Sequence, residues 1–347
     1  MITIPGVTLS GIAASVPRQQ EDNFEFPGMS DAEKTLFEQT TGIRYRRKAK
    51  PSTTAADLCE RAARDLLAAK GWEAGSVQFL VFVTQTPDYY CIPATACLLQ
   101  HKLGLPKSAV AFDVALGCSG YVYGLYILAS MMQSVPHSRG LLLVGDISTQ
   151  TIREDDRAVA PLFSDAGSAT LLEQTSDGHL YFQLGTDGKE YDAIIMREGG
   201  YRHPVHQISD PTNVGSSPDR FMQMDGMRIF QFSIREVPQA VSTLLSSLHL
   251  SPSDLDYAVF HQANKLMLEH IRKRLQLSSA QVPYSLHDFG NTGSASVPLT
   301  LVTQLGSVLQ QESRNLLLSG FGVGLSWANV YFRSTPFLVI PLIETEL

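Results

Sequence analysis

Cys118 is the residue of this sequence whose type and setting best suit it to covalent chemistry. It lies in a Gly-Cys-Ser-Gly turn, between an apolar run at 111–116 that is typical of a strand and an apolar stretch at 121–132 that is typical of a helix. This order places the thiol at or beside a helix N-terminus, where unpaired N–H groups and the helix dipole favour a negative charge. We therefore expect a lowered thiol pKa and a good nucleophile. Taken alone, the turn also suits a small buried cysteine that has no reactive role.

Segments of the first half of the sequence recur in the second half, in the same order and roughly 175 residues later. The matching pairs are 76–84 with 254–261, 112–132 with 284–305, and 138–145 with 313–320. Each half alternates β-rich apolar runs with amphipathic helical patterns, which is typical of an α/β unit. The repeat predicts an α/β fold with duplicated halves in a five-layer αβαβα arrangement.

The repeat also divides the chain. We predict an N-terminal half at 1–175 with the nucleophilic cysteine, a C-terminal half at 176–333, and a tail at 334–347 that has no counterpart in the first half. The polar residues, glycines and prolines of the segment 186–220 predict an inserted loop region. His203 and His206, within that segment, are predicted to be loop residues because no cysteine or carboxylate stands at metal-ligand spacing from them.

Two further polar residues take part in the repeat. Asn291 is the counterpart of Cys118, in another strand-to-helix turn, and His261 leaves an apolar strand among small polar residues. Because active sites in such sheets gather where strands end and helices begin, we expect the three side chains to meet. His261 taken alone could equally be a hydrogen-bonded core residue.

A cysteine, a histidine and an asparagine can carry out acyl transfer coupled to carbon–carbon bond formation. Cys118 can take an acyl group from a thioester through a covalent intermediate. The Nε2–H of His261 and the amide of Asn291 can then hold the enolate oxygen left when a malonyl thioester loses CO₂, since donors aimed at developing charge stabilise it strongly. The glycine-rich run 320–327 can supply a backbone N–H; a strand pattern follows it, which disfavours a dinucleotide loop.

Two other functions fit the same residues. One is a cysteine-dependent acyltransferase that passes the acyl group to a hydroxyl or an amine without condensation. The other is a non-catalytic partner subunit that has kept the fold. A hydroxyl or amine acceptor needs a base more than a pair of hydrogen-bond donors, so the histidine–asparagine pair favours condensation.

Seven motifs of the chain resemble those of the β-ketoacyl-acyl-carrier-protein synthase III family and occur in the family's order. They lie at 41–44 (TGIR), 112–120, 163–168, 224–227, 261–264 (HQAN), 290–293 and 321–324, and the similarity extends over about residues 1–333. The resemblance implies a thiolase fold and a homodimer. It also implies an enzyme of the 3-oxoacyl-acyl-carrier-protein synthase III type in fatty-acid, specialised lipid or secondary-metabolite biosynthesis.

The resemblance assigns roles to individual residues. It implies Cys118 as the acyl-accepting nucleophile, His261 and Asn291 as the decarboxylation pair, and an oxyanion hole formed by the N–H groups of Cys118 and Val323. It further implies substrate contacts, which would be made by Asn264 near the pantetheine arm and by Gly226, Arg157 and Ile92. Ile92 falls where a neighbouring subunit's residue closes the acyl pocket in family members.

Several positions depart from the family's pattern. Leu36 stands where members that use acyl-CoA carry a tryptophan that stacks on adenine, although Arg157 matches the arginine of that site. Met227 and Gly293 replace an asparagine and a serine, and Lys265 and Leu266 occupy a region where an arginine is usual. These differences suggest a specialised relative and weaken the prediction of a CoA-borne donor.

The charge and the composition of the chain argue against several other classes of protein. The net charge of −7 argues against nucleic-acid binding. A signal peptide, a membrane-spanning run and zinc-like cysteine spacing are absent from the sequence, so we expect a cytoplasmic protein without a metal. We expect no permanently bound cofactor; the acyl thioester substrates would be acyl-CoA or phosphopantetheinyl acyl-carrier protein, the latter also being the protein partner.

A run of cations at 44–50 stands out in this acidic chain. We predict that Arg44, Arg46 and Arg47, extended by Lys265, form a patch for the phosphate of CoA or of a carrier protein's phosphopantetheine arm. A solvated surface without a ligand is the alternative.

Overall fold

Helices and strands alternate through the computed structural model, which describes residues 1–204 and 217–347. The helices are α1 (Asp31–Thr41), α2 (Ala55–Lys70), α3 (Thr95–Lys102), α4 (Gly120–Met132), α5 (Gly226–Ser247), α6 (Lys265–Arg274), α7 (Leu286–Phe289) and α8 (Ser296–Gln311). The strands are β1 (Ile2–Pro17), β2 (Gln20–Asp22), β3 (Tyr45–Arg47), β4 (Phe79–Val83), β5 (Val110–Val114), β6 (Arg139–Ile147), β7 (Asp165–Thr186), β8 (Ile194–Ile195), β9 (Gln223–Met224), β10 (Tyr257–Phe260), β11 (Asn315–Gly322), β12 (Ser326–Arg333), β13 (Leu338–Val339) and β14 (Ile343–Thr345). The α/β class predicted from the sequence is confirmed.

The central strands are hydrogen-bonded in the order β10-β11-β12-β7-β6-β4-β5. In the first half β4 pairs in parallel with β6, and β6 pairs antiparallel with β7. In the second half β10 pairs in parallel with β11, and β11 pairs antiparallel with β12. The two halves therefore repeat one pairing pattern for these strands. The strand predicted before Asn291 is wrong, because α7 lies where the first half has β5.

The long strand β7 links the two halves. It pairs with β6 through its first residues and with β12 through Tyr181–Thr186, and it also pairs along much of β1. Because β7 runs through residue 175, the two predicted halves share a strand. The tail at 334–347 contributes β13 and β14, which pair in parallel with β1, so it completes the same sheet.

The layered packing of helices and sheet explains why α4 and α8 are apolar on most of their surface. α4 and α8 belong to one core cluster together with side chains of β1, β4, β6 and β11, and Tyr121, Leu125 and Leu301 in these helices have no exposed surface. A helix that is apolar on most of its surface is stable only when it is buried in this way. α2 and α3 cover β4 and β6 from one outer side, and α5 and α6 cover β10 and β11 from the other.

The segment at 186–220 is described at its two ends. It holds 3₁₀ turns at Gly188–Ala193 and Pro218–Arg220, and β8 within it pairs antiparallel with β9 just after it. His203 is exposed, and His206 lies outside the described residues. In residues 1–204 and 217–347, no helix is long and apolar enough to span a membrane. The same residues contain no group of three or more His, Cys, Asp or Glu side chains placed to hold a metal ion.

Candidate active site

Cys118 lies between the end of β5 and the first turn of α4, with Ser119 as the residue that precedes the helix. The backbone of Gly322 passes directly over the thiol, because a Cβ added there would lie 2.8 Å from the Sγ of Cys118. Gly322 also has a φ of +152°, which favours glycine. The backbone N–H groups of Val323 and of Cys118 itself both act on the sulfur and lower its pKa. These are the two N–H groups predicted to form the oxyanion hole.

Burial dominates the acidity of the thiol. It raises the pKa of Cys118 to about 11, and the charge of Asp146 acts in the same direction, whereas the N–H groups of Val323 and Cys118 oppose the rise. The prediction of a lowered thiol pKa is therefore wrong, because removing the thiolate from water outweighs the helix N-terminus. The resting group is a thiol, and its thiolate would be strongly basic and strongly nucleophilic.

His261 follows the last residue of β10 and is 2% exposed. Its backbone N–H donates to the carbonyl of Ser319 in β11 at 2.7 Å, which extends the pairing of the two strands by one residue. Burial lowers the pKa of the imidazole to about 3, with a smaller opposing effect from the backbone of Gly293. The ring is therefore neutral at physiological pH, so it donates from one nitrogen only, and its tautomer decides which one.

Asn291 is held by the first half of the chain. Its backbone N–H donates to the carbonyl of Leu162 at 2.9 Å, and its carbonyl accepts from the N–H of Ser164 at 2.9 Å. Its side-chain Oδ1 accepts from the N–H of Gly293 at 3.0 Å. This bond assigns the orientation of the amide, because the oxygen is the end that faces the N–H. The Nδ2 group is thereby left as a donor.

The three predicted catalytic residues line one pocket together with Asn264 and Gly226. The pocket sits where α5 and α6 begin, and Asn264 caps α6 by accepting the N–H of Met267 at 2.9 Å. The other lining residues are mostly apolar: Leu162, Phe163, Ile194, Met224, Ile229, Ser233, Ala263, Met267, Phe321 and Gly322. Such a lining excludes water and strengthens the few polar interactions inside it.

Two residues predicted to contact substrate lie elsewhere in this chain. Ile92 is 81% exposed and does not line the pocket. Arg157 is exposed, and its guanidinium donates to the carbonyl of Gly28. The sequence could not show that Ile92 and Arg157 lie outside the pocket, since both residues are on loops.

The predicted cation patch is wrong in its two central members. Arg46 and Arg47 are 5% and 8% exposed, and they form ion pairs at 2.7 Å with Glu21 and Glu344 respectively. Arg44 is bound to Asp22 at 2.7 Å. Two of the acidic partners, Glu21 and Asp22, belong to β2, and Glu344 belongs to the tail. These carboxylates neutralise the arginines that the sequence had suggested were available to bind phosphate. Lys265 is exposed at the start of α6.

Sequence reasoning missed two buried groups beside the site. Asp146, at the end of β6, accepts hydrogen bonds from the N–H of Gln85 at 2.7 Å and from the hydroxyl and N–H of Ser294. Ser296, the first residue of α8, lies 2.7 Å from the Nδ1 of His261. A carboxylate near the end of the otherwise apolar run 140–147 was the one signal available for Asp146; Ser296 had none beyond its place in the repeat.

Comparison with family models and curated proteins gives a consistent result. Residues 112–188 match the model described as 3-oxoacyl-[acyl-carrier-protein (ACP)] synthase III, and residues 245–334 match the model of that synthase's C terminal part. A β-ketoacyl-[acyl-carrier-protein] synthase III from Streptococcus gordonii is 32% identical over 325 residues, covering 93% of this chain and 97% of the relative. A putative 3-oxoacyl-[acyl-carrier-protein] synthase 3 from Campylobacter jejuni is also 32% identical, over 92% of both chains.

Solved structures agree with these relatives over nearly the whole chain. A 3-oxoacyl-(acyl-carrier protein) synthase from Burkholderia xenovorans has 37% sequence identity and a TM-score of 0.93, covering 99% of this chain and 98% of that one. A priming β-ketosynthase from the R1128 polyketide biosynthetic pathway has 27% identity and a TM-score of 0.84, covering 96% and 97%. The predicted thiolase fold is confirmed by these matches.

Proposed function

The chain belongs to the 3-oxoacyl-[acyl-carrier-protein] synthase III family, and we propose that it loads an acyl group onto Cys118 and condenses it with malonyl-acyl-carrier protein. It is a condensing enzyme of the synthase III type in fatty-acid biosynthesis. One observation carries the assignment of residues: Cys118, His261 and Asn291, which are far apart in the sequence, line a single, mostly apolar pocket.

The first step is acylation of Cys118. The sulfur attacks the carbonyl carbon of an acyl thioester, and the N–H groups of Cys118 and Val323 hold the oxyanion that forms. Collapse of this intermediate breaks the carbon–sulfur bond to the carrier. The proton of the Cys118 thiol ends on the departing carrier thiol, so acyl group and proton exchange places.

The second step is decarboxylative condensation. The malonyl thioester loses CO₂, and the electrons of the broken bond form an enolate whose oxygen is held by the Nε2–H of His261 and the Nδ2–H of Asn291. Each donor of this kind contributes about 3–4 kcal/mol of transition-state stabilisation. The enolate carbon attacks the acyl-cysteine, and the released Cys118 thiolate takes a proton from solvent. The products are a 3-oxoacyl thioester and CO₂.

The alternative, transfer to a hydroxyl or an amine, is less well supported. That reaction needs a general base with a pKa near the working pH. Burial lowers the pKa of His261 to about 3, which makes it a poor base. A neutral histidine paired with an amide suits charge stabilisation better than proton removal.

The acyl donor is a thioester carried either by CoA or by acyl-carrier protein. Leu36 on α1 is 64% exposed and offers no aromatic surface for adenine. The guanidinium of Arg157 is already hydrogen-bonded to Gly28. Both observations favour a donor bound mainly through its pantetheine arm, for which Asn264 and Gly226 are lining residues of the pocket.

A homodimer is supported by one edge of the sheet. β5 ends the strand order, and Val110 at its start is 45% exposed. Tyr90 and Ile92, on the loop before α3, are 64% and 81% exposed. An apolar edge strand beside exposed large side chains is typical of a surface that pairs with another chain. We propose that a second copy covers it and that Ile92 then closes the partner's acyl pocket.

Mass spectrometry of the intact protein after mixing with acyl-CoA and acyl-carrier protein of several chain lengths tests the first step. We expect one acyl adduct, lost in Cys118→Ala and retained in Cys97→Ala, which removes an exposed thiol outside the pocket. If no thioester donor labels Cys118, the proposed nucleophile is wrong.

Release of CO₂ from malonyl-acyl-carrier protein tests the second step. Asn291→Ala should lower the rate by at least about 100-fold, the loss expected for one oxyanion donor, while acylation of Cys118 continues. Acyl transfer to an alcohol or amine without CO₂ release would instead establish the alternative function.

A further inference from the structure

The imidazole of His261 has a second buried partner, which the proposed chemistry does not use directly. The Oγ of Ser296 lies 2.7 Å from Nδ1, and the two residues are 1% and 2% exposed. Ser296 is the first residue of α8, so its position is set by the helix that lies at the centre of the molecule. The contact fixes one edge of the ring.

The hydroxyl of Ser296 can be assigned a direction by accounting for its hydrogen bonds. Its oxygen accepts from the backbone N–H of Gln262 at 3.3 Å. Among the residues that the structure describes, the ring Nδ1 is the other hydrogen-bond partner of that hydroxyl. If Nδ1 carried the proton, the oxygen would receive two N–H donors and its own hydrogen would be buried without an acceptor. Buried polar groups are rarely left in that state.

We propose that Ser296 is a positioning residue that donates to Nδ1 and thereby holds His261 in the tautomer with its proton on Nε2. This inference rests on the proposed role of His261 as a donor to the enolate. Which ring nitrogen carries the proton is set by the partner of the other nitrogen. Ser296 therefore determines whether His261 presents a donor or a lone pair to the substrate.

The surroundings keep the ring from turning to another arrangement. The side chain of Gln262 donates to the carbonyl of Phe260 at 2.8 Å and accepts from the N–H of Ser285 at 3.0 Å, which fixes the backbone that holds both His261 and the N–H donor to Ser296. The ring of Phe321 packs edge-on against the imidazole, with 5.6 Å between the ring centres. Ser296 thus acts on a ring whose place is already set, and what it selects is the tautomer.

Loss of the hydroxyl should affect one half-reaction. Without a donor at Nδ1 the proton can move to that nitrogen, and Nε2 would then direct a lone pair at the enolate oxygen. We expect Ser296→Ala to lower the rate of CO₂ release about tenfold and to leave the amount of acyl adduct on Cys118 unchanged. Ser296→Thr, which keeps the hydroxyl, should restore most of the rate.

Ser285→Ala is the matched control. Ser285 is buried near the same helix, and its hydroxyl is hydrogen-bonded to the hydroxyl of Thr300 at 2.8 Å. Ser285→Ala removes this hydroxyl and keeps the backbone N–H that holds Gln262. It should retain the wild-type rate of CO₂ release. Equal losses in Ser285→Ala and Ser296→Ala would show a general effect of removing a buried hydroxyl and would overturn the proposal.

The tautomer can be observed without relying on activity. In protein labelled with ¹⁵N-histidine, with the His261 signals assigned from a His261→Ala spectrum, we expect a protonated Nε2 and an unprotonated Nδ1 in the wild type. We expect this distinction to weaken or reverse in Ser296→Ala. A wild-type ring protonated at Nδ1 would refute the inference even if CO₂ release were normal, whereas failure of the proposed function would show as no CO₂ release with the tautomer as stated.

Discussion

Desolvation of the thiolate governs the chemistry of Cys118 more strongly than the helix that begins beside it. The thiol of the half-buried Cys118 is protonated at neutral pH, because loss of water around the sulfur raises its pKa to about 11. The backbone of Gly322 and Val323 lies against one side of the sulfur, and a side chain at position 322 would displace the sulfur. A high pKa protects the enzyme from adventitious oxidation and makes the thiolate a strong nucleophile when it forms.

The pH dependence of Cys118 alkylation follows from this burial. With Cys91 and Cys97 replaced by serine, we expect the rate of reaction with iodoacetamide to rise about tenfold per pH unit between pH 7 and 9, since the thiolate fraction does so below the pKa. The raised pKa puts the half-point of the titration near pH 11. Alkylation can be followed by intact mass; a rate that levels off below pH 8 would contradict the burial argument.

At the scale of elements, Asp146 joins strand ends of the first half to the catalytic turn of the second. The carboxylate accepts from the N–H of Gln85 and the hydroxyl of Thr84, just after β4, and from the hydroxyl and N–H of Ser294, just before α8. It is 3% exposed, and burial raises its pKa, an effect that these donors oppose. The turn that holds Asn291 and Ser296 is thereby tied to β4 and β6.

Replacing this carboxylate should destabilise the fold. Asp146→Ala leaves several buried donors without an acceptor, and we expect the free energy of unfolding to fall by about 3 kcal/mol, at the upper end of the cost of one unsatisfied buried group. Urea unfolding followed by circular dichroism measures this. Asp155→Ala, which removes an exposed carboxylate paired with Arg153, is the control and should leave the unfolding midpoint unchanged. Equal midpoints for both variants would show that Asp146 is not structural.

What the sequence could predict depended on whether a repeated pattern marks the interacting residues. Cys118, His261 and Asn291 were found because the internal repeat pairs the turn of Cys118 with that of Asn291, although the structure places the short helix α7, and not a strand, before Asn291. The contact between Asp146 and Ser294 was not found, because it joins residues 148 positions apart with no matching pattern. The thiol pKa was mispredicted for a related reason: local sequence showed the helix N-terminus, whereas burial depends on the whole tertiary structure.

At the scale of the whole molecule, pairing across the sheet removes most of the expected basic patch. Arg47 is neutralised by Glu344, which lies nearly 300 residues further along the chain. The run at 44–50 alone could not predict this ion pair. The net charge of −7 is therefore not offset by a cluster around Arg46. Docking of an acidic carrier protein would rely on exposed cations such as Lys50, at the end of this run, and Lys265, at the start of α6.

The exposed edge of β5 carries the argument for assembly. β5 is one of the two strands that end the central strand order, and an exposed apolar edge invites pairing with a second strand of the same kind. The loop with Tyr90 and Ile92 lies on the connection from β4 to α3 and exposes large side chains to solvent in the single chain. A twofold contact at this edge would bury both features, as the proposed homodimer requires.

A charge placed on this edge should separate the subunits and reduce activity together. We expect the wild type to sediment at about twice the chain mass of 38.0 kDa, and Val110→Lys to sediment as the single chain. Acylation of Cys118 should then slow at least tenfold, because the proposed dimer closes each acyl pocket with Ile92 of the other chain. Val135→Lys, at a 37% exposed position outside the edge, should stay dimeric and active. If Val110→Lys remains dimeric, the interface lies elsewhere; if it is monomeric yet acylated at the wild-type rate, each chain forms its acyl pocket alone.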